Sequence, residues 1–361
     1  MLDKEFTSSL GEAFLSFIKT LQQERDKKFV FLLVGRTGVG KSSTVNSLMG
    51  QQLAPVGNYD PTTMQVESFD CEIDGIKFTI IDTPGLCDDL PERDNDQKYI
   101  ELILSKVKQV DSLWFVTRLD DSRVTSDEMR GIKIISEAFS SQIWEHAVII
   151  FTRANKADDY LVDLQERTKR IRDEIAKHTG IELASNIPSV AVDNKSETTP
   201  DGQKWLEELY TKVFVRISNK GAIPFFLATV QRINSSSKNS KQSKKNQEKA
   251  NQENTYQCNE DPNWRFYNDF GNISDFLRDY TKQQSTDDYE QNSDRKQKYN
   301  FNQQQQEEIK NKLFTVVPVL KEIGGAIGSI FGGSAGKKIG QNIGGVVGHA
   351  VEFVGSLFRW F

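Results

Sequence analysis

Six short apolar runs, at 29–34, 66–69, 78–81, 112–116, 147–151 and 188–192, alternate with segments whose apolar residues recur every three or four positions. Runs of that length bounded by polar turns read as strands, and the intervening periodicity reads as helices. A strand–helix alternation repeated in this way predicts an α/β fold, a mainly parallel sheet with helices on both faces, closing with a helix over 203–217. Ahead of the first strand, Phe6, Leu10, Phe14, Phe17 and Leu21 fall at helical spacing, so 1–27 is expected to be an amphipathic helix packed on its own domain.

The pattern ends at Arg232. From 233 to 306 the chain is rich in Ser, Asn, Lys and Gln, a composition that cannot bury a core and is expected to form a polar linker, with one aromatic island around Trp264 and Tyr267. Residues 307–361 differ again. Gly324, Gly328, Gly332, Gly336, Gly340, Gly344 and Gly348 keep an unbroken spacing of four among Ile, Val, Ala and Phe, which is a glycine zipper. As a lone helix in water, the ten glycines between 324 and 348 would cost about 8–10 kcal/mol relative to alanine. A membrane, self-association or a hairpin about Lys337-Lys338 must offset that cost, unless the tail is simply flexible. Lys321, Glu322, the lysine pair and Glu352 leave apolar stretches shorter than the roughly 20 residues that span a bilayer, although lysines can snorkel. The expected organisation is therefore an N-terminal helix at 1–27, a globular domain at 28–232, a linker at 233–306 and a membrane-associating or oligomerising tail at 307–361.

Composition narrows the function. A net charge of −5 over 361 residues shows no basic excess, which argues against nucleic acid as a partner. Three cysteines without ligand spacing point to a reducing, cytoplasmic compartment, and the first residues carry no secretory signal.

The chemistry lies at strand ends. Gly35-Arg36-Thr37-Gly38-Val39-Gly40-Lys41-Ser42, followed by Ser43, matches the phosphate-loop pattern G-x-x-x-x-G-K-[ST] directly after an apolar strand. Glycines let consecutive backbone N–H groups wrap phosphates, Lys41 reaches the terminal phosphates, Ser42 binds Mg²⁺, and the following helix points its N-terminus at the anion. Asp82-Thr-Pro-Gly85 closes the third strand candidate, placing Asp82 near the metal shell and the Gly85 amide near the terminal phosphate. Thr62 and Thr63 compete as a switch threonine on the metal, with Thr63 favoured. Two registers compete for base recognition: the literal N-K-x-D of Asn155 to Asp158, and Thr152-Arg153-Ala154-Asn155, with Arg153 against the purine face. Asn155 serves in both, and Asp193 and Asn194 supply the opposite wall of a pocket that favours guanine.

The stretches Gly38–Thr44, Asn46–Gly50, Ile80–Leu86 and Arg118-Leu-Asp-Asp-Ser-Arg-Val124 resemble the plastid outer-envelope import-receptor (Toc) and immunity-associated (GIMAP-type) GTPases, over about 28–217. The resemblance implies a P-loop NTPase G domain that binds GTP or GDP with Mg²⁺. It implies a homodimer or heterodimer with a related G domain across the nucleotide face, with Arg123 reaching the partner's phosphates, unless Arg123 only pairs with Asp120 or Asp121. It also places Arg153 where the import receptors carry a histidine, which favours the Thr152 register. Many members carry a C-terminal membrane-anchoring segment, so a cytosol-facing position on an intracellular membrane is expected. Leu86 and Cys87 offer no side chain to orient a water, so intrinsic hydrolysis should be slow. The expectation is a slow GTPase switch; the alternatives are a GTP-gated scaffold with little hydrolysis, and a membrane-disrupting or oligomerising effector regulated by its G domain.

Overall fold

The computed structural model describes residues 16–17, 19–21, 23–24, 26–56, 66–83, 96–121, 123–233 and 299–320. Lys19–Gln231 and Tyr299–Pro318 form one compact unit; the remaining residues are assigned to a second, most of which falls outside the described residues. The linker island and the glycine zipper lie there, and so carry no structural account. Backbone at 16–17, 19–21 and 23–24 is helical; residues 1–15 of the expected N-terminal helix lie outside the described residues.

Six strands make one sheet: β1 (Phe29–Val34), β2 (Glu67–Ile73), β3 (Ile76–Asp82), β4 (Ser112–Arg118), β5 (Ala147–Thr152) and β6 (Ser189–Ala191), in the order β2-β3-β1-β4-β5-β6. Every neighbouring pair is parallel except β2 with β3, which pair antiparallel across a tight Asp74-Gly75 turn. Both turn residues have positive φ, 52° and 78°, the geometry an Asp-Gly hairpin turn requires. The edge strand β2 alternates partly buried and exposed positions, whereas β1 is buried throughout. That difference separates a sheet edge from a centre covered on both faces.

The helices are α1 (Lys41–Met49), α2 (Asp96–Lys106), α3 (Ser126–Phe139), α4 (Tyr160–Thr179), α5 (Ile181–Ser185), α6 (Trp205–Arg216), α7 (Asn219–Ile233) and α8 (Gln303–Val316). Strand periodicity sorts the core. Val30, Leu32 and Val34 of β1 join Tyr99 and Ile103 of α2, Ile132 and Ile135 of α3 and Ile171 and Ile175 of α4. Phe29 and Phe31 face the other way: Phe29 stacks on Phe78 at 4.8 Å between ring centroids, and both rings meet Phe225 of α7 edge-on.

Two features go beyond the pattern. Helix α7 follows the last expected element and holds Pro224 in its interior. The chain from Tyr299 to Pro318, expected to divide between linker and tail, packs in the same unit as the sheet. Tyr299 and Phe301 are buried on Tyr210 of α6, at ring distances of 4.8 and 5.2 Å, and α8 lies along α6. Among the described residues no helix is long and apolar enough to cross a membrane.

Candidate nucleotide-binding site

The phosphate loop joins β1 to α1 through Gly35–Gly40, and two of its glycines, Gly35 and Gly40, are closely approached by their surroundings. A Cβ on Gly35 would sit 2.1 Å from the Val116 carbonyl oxygen. Gly40 has φ 103°, and a Cβ there would press on Asn194 at 3.3 Å and on the Thr152 methyl at 3.4 Å. The loop thus packs against β4, Thr152 and Asn194 more closely than a side chain at Gly35 or Gly40 would allow.

Lys41 is 5% exposed, yet its ammonium is well served: Nζ donates to the Gly35 carbonyl at 2.8 Å and the Arg36 carbonyl at 3.0 Å. Asp82, at the end of β3, places Oδ1 3.4 Å from the same nitrogen. An ammonium held over the loop by its own carbonyls costs little to aim at a phosphate, because the carbonyls and Asp82 already offset its burial. Ser42 and Ser43 lie in the first turn of α1, partly buried, and Thr37 and Arg36 flank the loop's outer bend.

Thr152, the last residue of β5, ties the end of that strand to the phosphate loop. Its hydroxyl is 2.6 Å from the Val39 carbonyl and 3.2 Å from that of Thr117. Asn194 Nδ2 donates to Thr44 Oγ1 of α1 at 3.0 Å. Asn155 donates its backbone N–H to Asp193 Oδ2 at 3.1 Å and its side-chain amide to the Thr198 carbonyl at 3.2 Å. Asp193 is buried and also accepts from the Lys195 N–H at 2.9 Å, so its carboxylate is occupied in shaping this turn. Thr152 and Asn194 therefore meet the loop's Gly40 end, and Asn155 and Asp193 are bonded to each other in the turn beside Asn194. Asp158 does not join them; it is exposed, beyond the short 3-10 turn Ala154–Lys156 and just ahead of the Asp159 cap of α4.

Arg153 takes the left-handed conformation, φ 60°, which turns its exposed side chain toward Asp120, 3.9 Å away. Arg118 is the principal partner of the acids in the Arg118–Val124 segment: it grips Asp120 at 2.6 and 2.9 Å and approaches Asp121 at 3.7 Å. The bond from Arg118 holds the Asp120 carboxyl below the usual carboxylate range. Arg123, expected either to reach a partner or to pair with Asp120 or Asp121, is exposed and makes no ion pair with either. Thr63 and Gly85 lie outside the described residues.

Several supports were not singled out from the sequence. Asn46 fastens the chain after α1, accepting from the Leu53 and Ala54 N–H groups at 2.9 Å each and donating to the Ala54 carbonyl. Thr83 donates to the Leu33 carbonyl at 3.0 Å and so holds the strand end beside Asp82 against β1. Either residue alone is an ordinary polar side chain; only the fold shows that Asn46 anchors the chain after α1 and Thr83 the end of β3.

Residues 30–246 match the AIG1 family. The chain belongs to that family. Among curated relatives it is 26% identical over 227 residues to Translocase of chloroplast 34 of Arabidopsis thaliana, covering 58% of this chain and 72% of that protein. It is 24% identical over 212 residues to Translocase of chloroplast 101 of Physcomitrium patens, covering 54% of this chain and 23% of that one. The match thus spans under a quarter of the first relatives' own length. Among solved structures it is similar to Toc33 of Arabidopsis thaliana in complex with GDP and Mg²⁺, at 25% identity, a TM-score of 0.44, and coverage of 62% of this chain and 93% of that one.

Proposed function

We propose that this AIG1-family chain is a GTP-binding switch whose hydrolysis is slow and depends on pairing of two G domains. The observation that carries the reading is the phosphate loop itself, with Lys41 buried between the Gly35 and Arg36 carbonyls beside Asp82.

The residues fit the groups this implies. The glycine-rich loop makes approaches to Val116, Thr152 and Asn194 that a Cβ would block, and it runs into the α1 N-terminus, whose backbone N–H groups suit an anion. Ser42 and Asp82 offer hard oxygen donors, the set Mg²⁺ prefers together with phosphate oxygens and water. Bound Mg²⁺ would neutralise charge on the phosphates; Lys41 adds a second positive charge, Ser42 and Asp82 fix the metal's position, and the loop amides orient the phosphates.

For the base, we favour the Thr152 register: Thr152 touches the phosphate loop at Val39, and Asn155 is tied by its backbone to Asp193, next to Asn194. Asn155 and the turn held by Asp193 and Asn194 would then face the guanine edge, with the Arg153 stem against its plane. Arg123, exposed and not engaged by the local acids, is the residue we assign to a partner's phosphates. Membrane attachment is proposed through the glycine-rich tail, on the cytosolic side of an intracellular membrane. Vesicle flotation and crosslinking of the full chain, both unaltered when Gly328, Gly332 and Gly340 become leucine, would count against close helix packing in that tail, and a full chain that neither floats nor oligomerises would overturn the membrane assignment.

The deciding experiment is GTP hydrolysis per molecule over a range of protein concentrations, with and without vesicles. Specific activity should rise with concentration and stay flat in Arg123→Ala. Tight GTP binding with no turnover at any concentration would instead support a GTP-gated scaffold, the reading that Leu86 and Cys87 favour.

A further inference from the structure

Both ends of the loop that carries Arg123 are tied to one buried guanidinium. Arg167 of α4, only 2% exposed, donates Nη1 to the Arg123 carbonyl at 2.5 Å. Its Nη2 lies 3.4 Å from the Arg118 carbonyl, 2.9 Å from Thr117 Oγ1 and 3.2 Å from Glu128 Oε1. Glu128, 1% exposed, completes the frame: it accepts from the Thr117 hydroxyl, and its other oxygen accepts from the Thr125 N–H at 2.8 Å in the capping box of α3. The Arg167 guanidinium also rests 6.0 Å over the Phe151 ring, next to Thr152.

A charge pair taken this far out of water gains little stability over apolar side chains of the same size, because desolvation offsets the attraction. What it provides is direction. A planar fork with fixed donors can pin two carbonyls five residues apart, which no apolar side chain can do. The frame also continues to the phosphate loop, since the Thr117 carbonyl accepts from Thr152 Oγ1, and that hydroxyl also reaches the Val39 carbonyl at 2.6 Å.

The geometry points to Arg167 and Glu128 as a positioning pair that holds the Arg118–Thr125 loop in the shape that presents Arg123 to a second G domain, and that links this shape to the phosphate loop through Thr117 and Thr152. The inference rests on the proposed role of Arg123 and deepens it. Neither member touches nucleotide; both act through the backbone of the loop.

The test uses the full-length chain. Removing one member strands the other's charge, so the main variant is Arg167→Met with Glu128→Gln, which removes both charges together; Arg167→Lys keeps the charge and loses the fork. Thermal unfolding shows that each variant is folded. Amide exchange at 119–125 without nucleotide should accelerate about tenfold or more in the double variant and by less in Arg167→Lys. Fluorescent GTP affinity should stay within about threefold, while the rise of specific activity with concentration falls to that of Arg123→Ala, and adding Arg123→Ala lowers it no further. Unchanged exchange at 119–125 in both variants overturns the positioning role. A full Arg123→Ala effect beside an unaltered double variant also overturns it, and leaves the dimer reading standing. Arg123→Ala with a wild-type concentration curve overturns the dimer reading, and with it the purpose assigned to the pair.

Discussion

Thr152 Oγ1 lies 2.6 Å from the Val39 carbonyl, so the strand expected to read the base and the loop expected to hold the phosphates share one hydrogen bond. The same hydroxyl is 3.2 Å from the Thr117 carbonyl on the neighbouring strand. A side chain that touches β4, β5 and the phosphate loop at once fixes the depth at which base and phosphate sites can sit relative to each other.

Thr152→Val keeps the shape and removes these bonds. A buried hydrogen bond contributes about 1 kcal/mol net, and a buried carbonyl left without its donor costs somewhat more. GTP and GDP affinity should both fall, by about five- to tenfold, with a loss of about 1–2 kcal/mol in denaturant unfolding. Fluorescent-nucleotide titration checks it; affinity equal to wild type would mean the contact does not set the site.

Lys41→Ala removes the ammonium held by the Gly35 and Arg36 carbonyls, and Ser42→Asn replaces the hydroxyl on the metal side. Both should abolish tight GTP binding while leaving the fold intact, since neither side chain belongs to the apolar core. Circular dichroism and the same titration separate the two effects.

The guanine registers differ in one carboxylate. Asp158 is exposed and past the 3-10 turn, so Asp158→Ala should leave the preference for GTP over ATP unchanged. Asn155→Ala should relax it, because it removes the side-chain amide, which is bonded to the Thr198 carbonyl, and leaves the backbone bond to Asp193 in place. Competition with ATP reads both. Selectivity lost in Asp158→Ala would restore the literal N-K-x-D.

How far the sequence was legible depends on whether a feature is local. The phosphate loop could be read because strand, glycines and helix are contiguous, and β1 because it is buried on both faces and therefore apolar at every position. Helix α7 was obscured by Pro224 and by Gly221, a residue required only because a Cβ would come within 2.7 Å of Asp111. The Gln303–Gln306 run looks like linker, yet one turn of it is capped by Asn302, and Gln305 reaches Glu208 at 2.9 Å. In the site, the pairing of Asp120 with Arg118 rather than Arg123 is decided by the course of the loop, which the spacing of the residues does not specify.

Lys312 of α8 donates to the Ile217 carbonyl at 2.8 Å and to Asn219 Oδ1 at 3.1 Å. Burial, with Arg216 nearby, pulls its ammonium down to about 8. The unfolded chain, with an ordinary lysine near 10.4, binds more protons at pH values between the two, so stability from this group rises with pH across that window. Wild type should therefore gain stability relative to Lys312→Met as pH goes from about 7.5 to 10, by denaturant unfolding at each pH. A constant difference would show that Lys312 keeps its normal affinity for the proton.

Tyr299 decides where the globular unit can be cut. Its ring is fully buried between Tyr210 and Phe301, and its hydroxyl donates to the Leu48 carbonyl at the far end of the helix whose first turn carries Lys41 and Ser42. Asn300 adds a backbone bond to Glu207 at 3.0 Å. A chain ending near Arg232 would expose Tyr210 and leave the Leu48 carbonyl without this donor, so it should lose solubility and thermal stability, and a chain ending after Pro318 should keep both. Tyr299→Phe, which removes only the hydroxyl, should cost about 1 kcal/mol, while Tyr299→Ala should cost about 3–5 kcal/mol by adding a cavity. On the proposed function, GTP would bind only the folded unit, so saturating nucleotide should raise the melting temperature of Tyr299→Ala and partly conceal the loss. Equal melting temperatures for the chains ending at 232 and 318, measured without nucleotide, would show that the segment after the linker adds nothing to the unit it packs on.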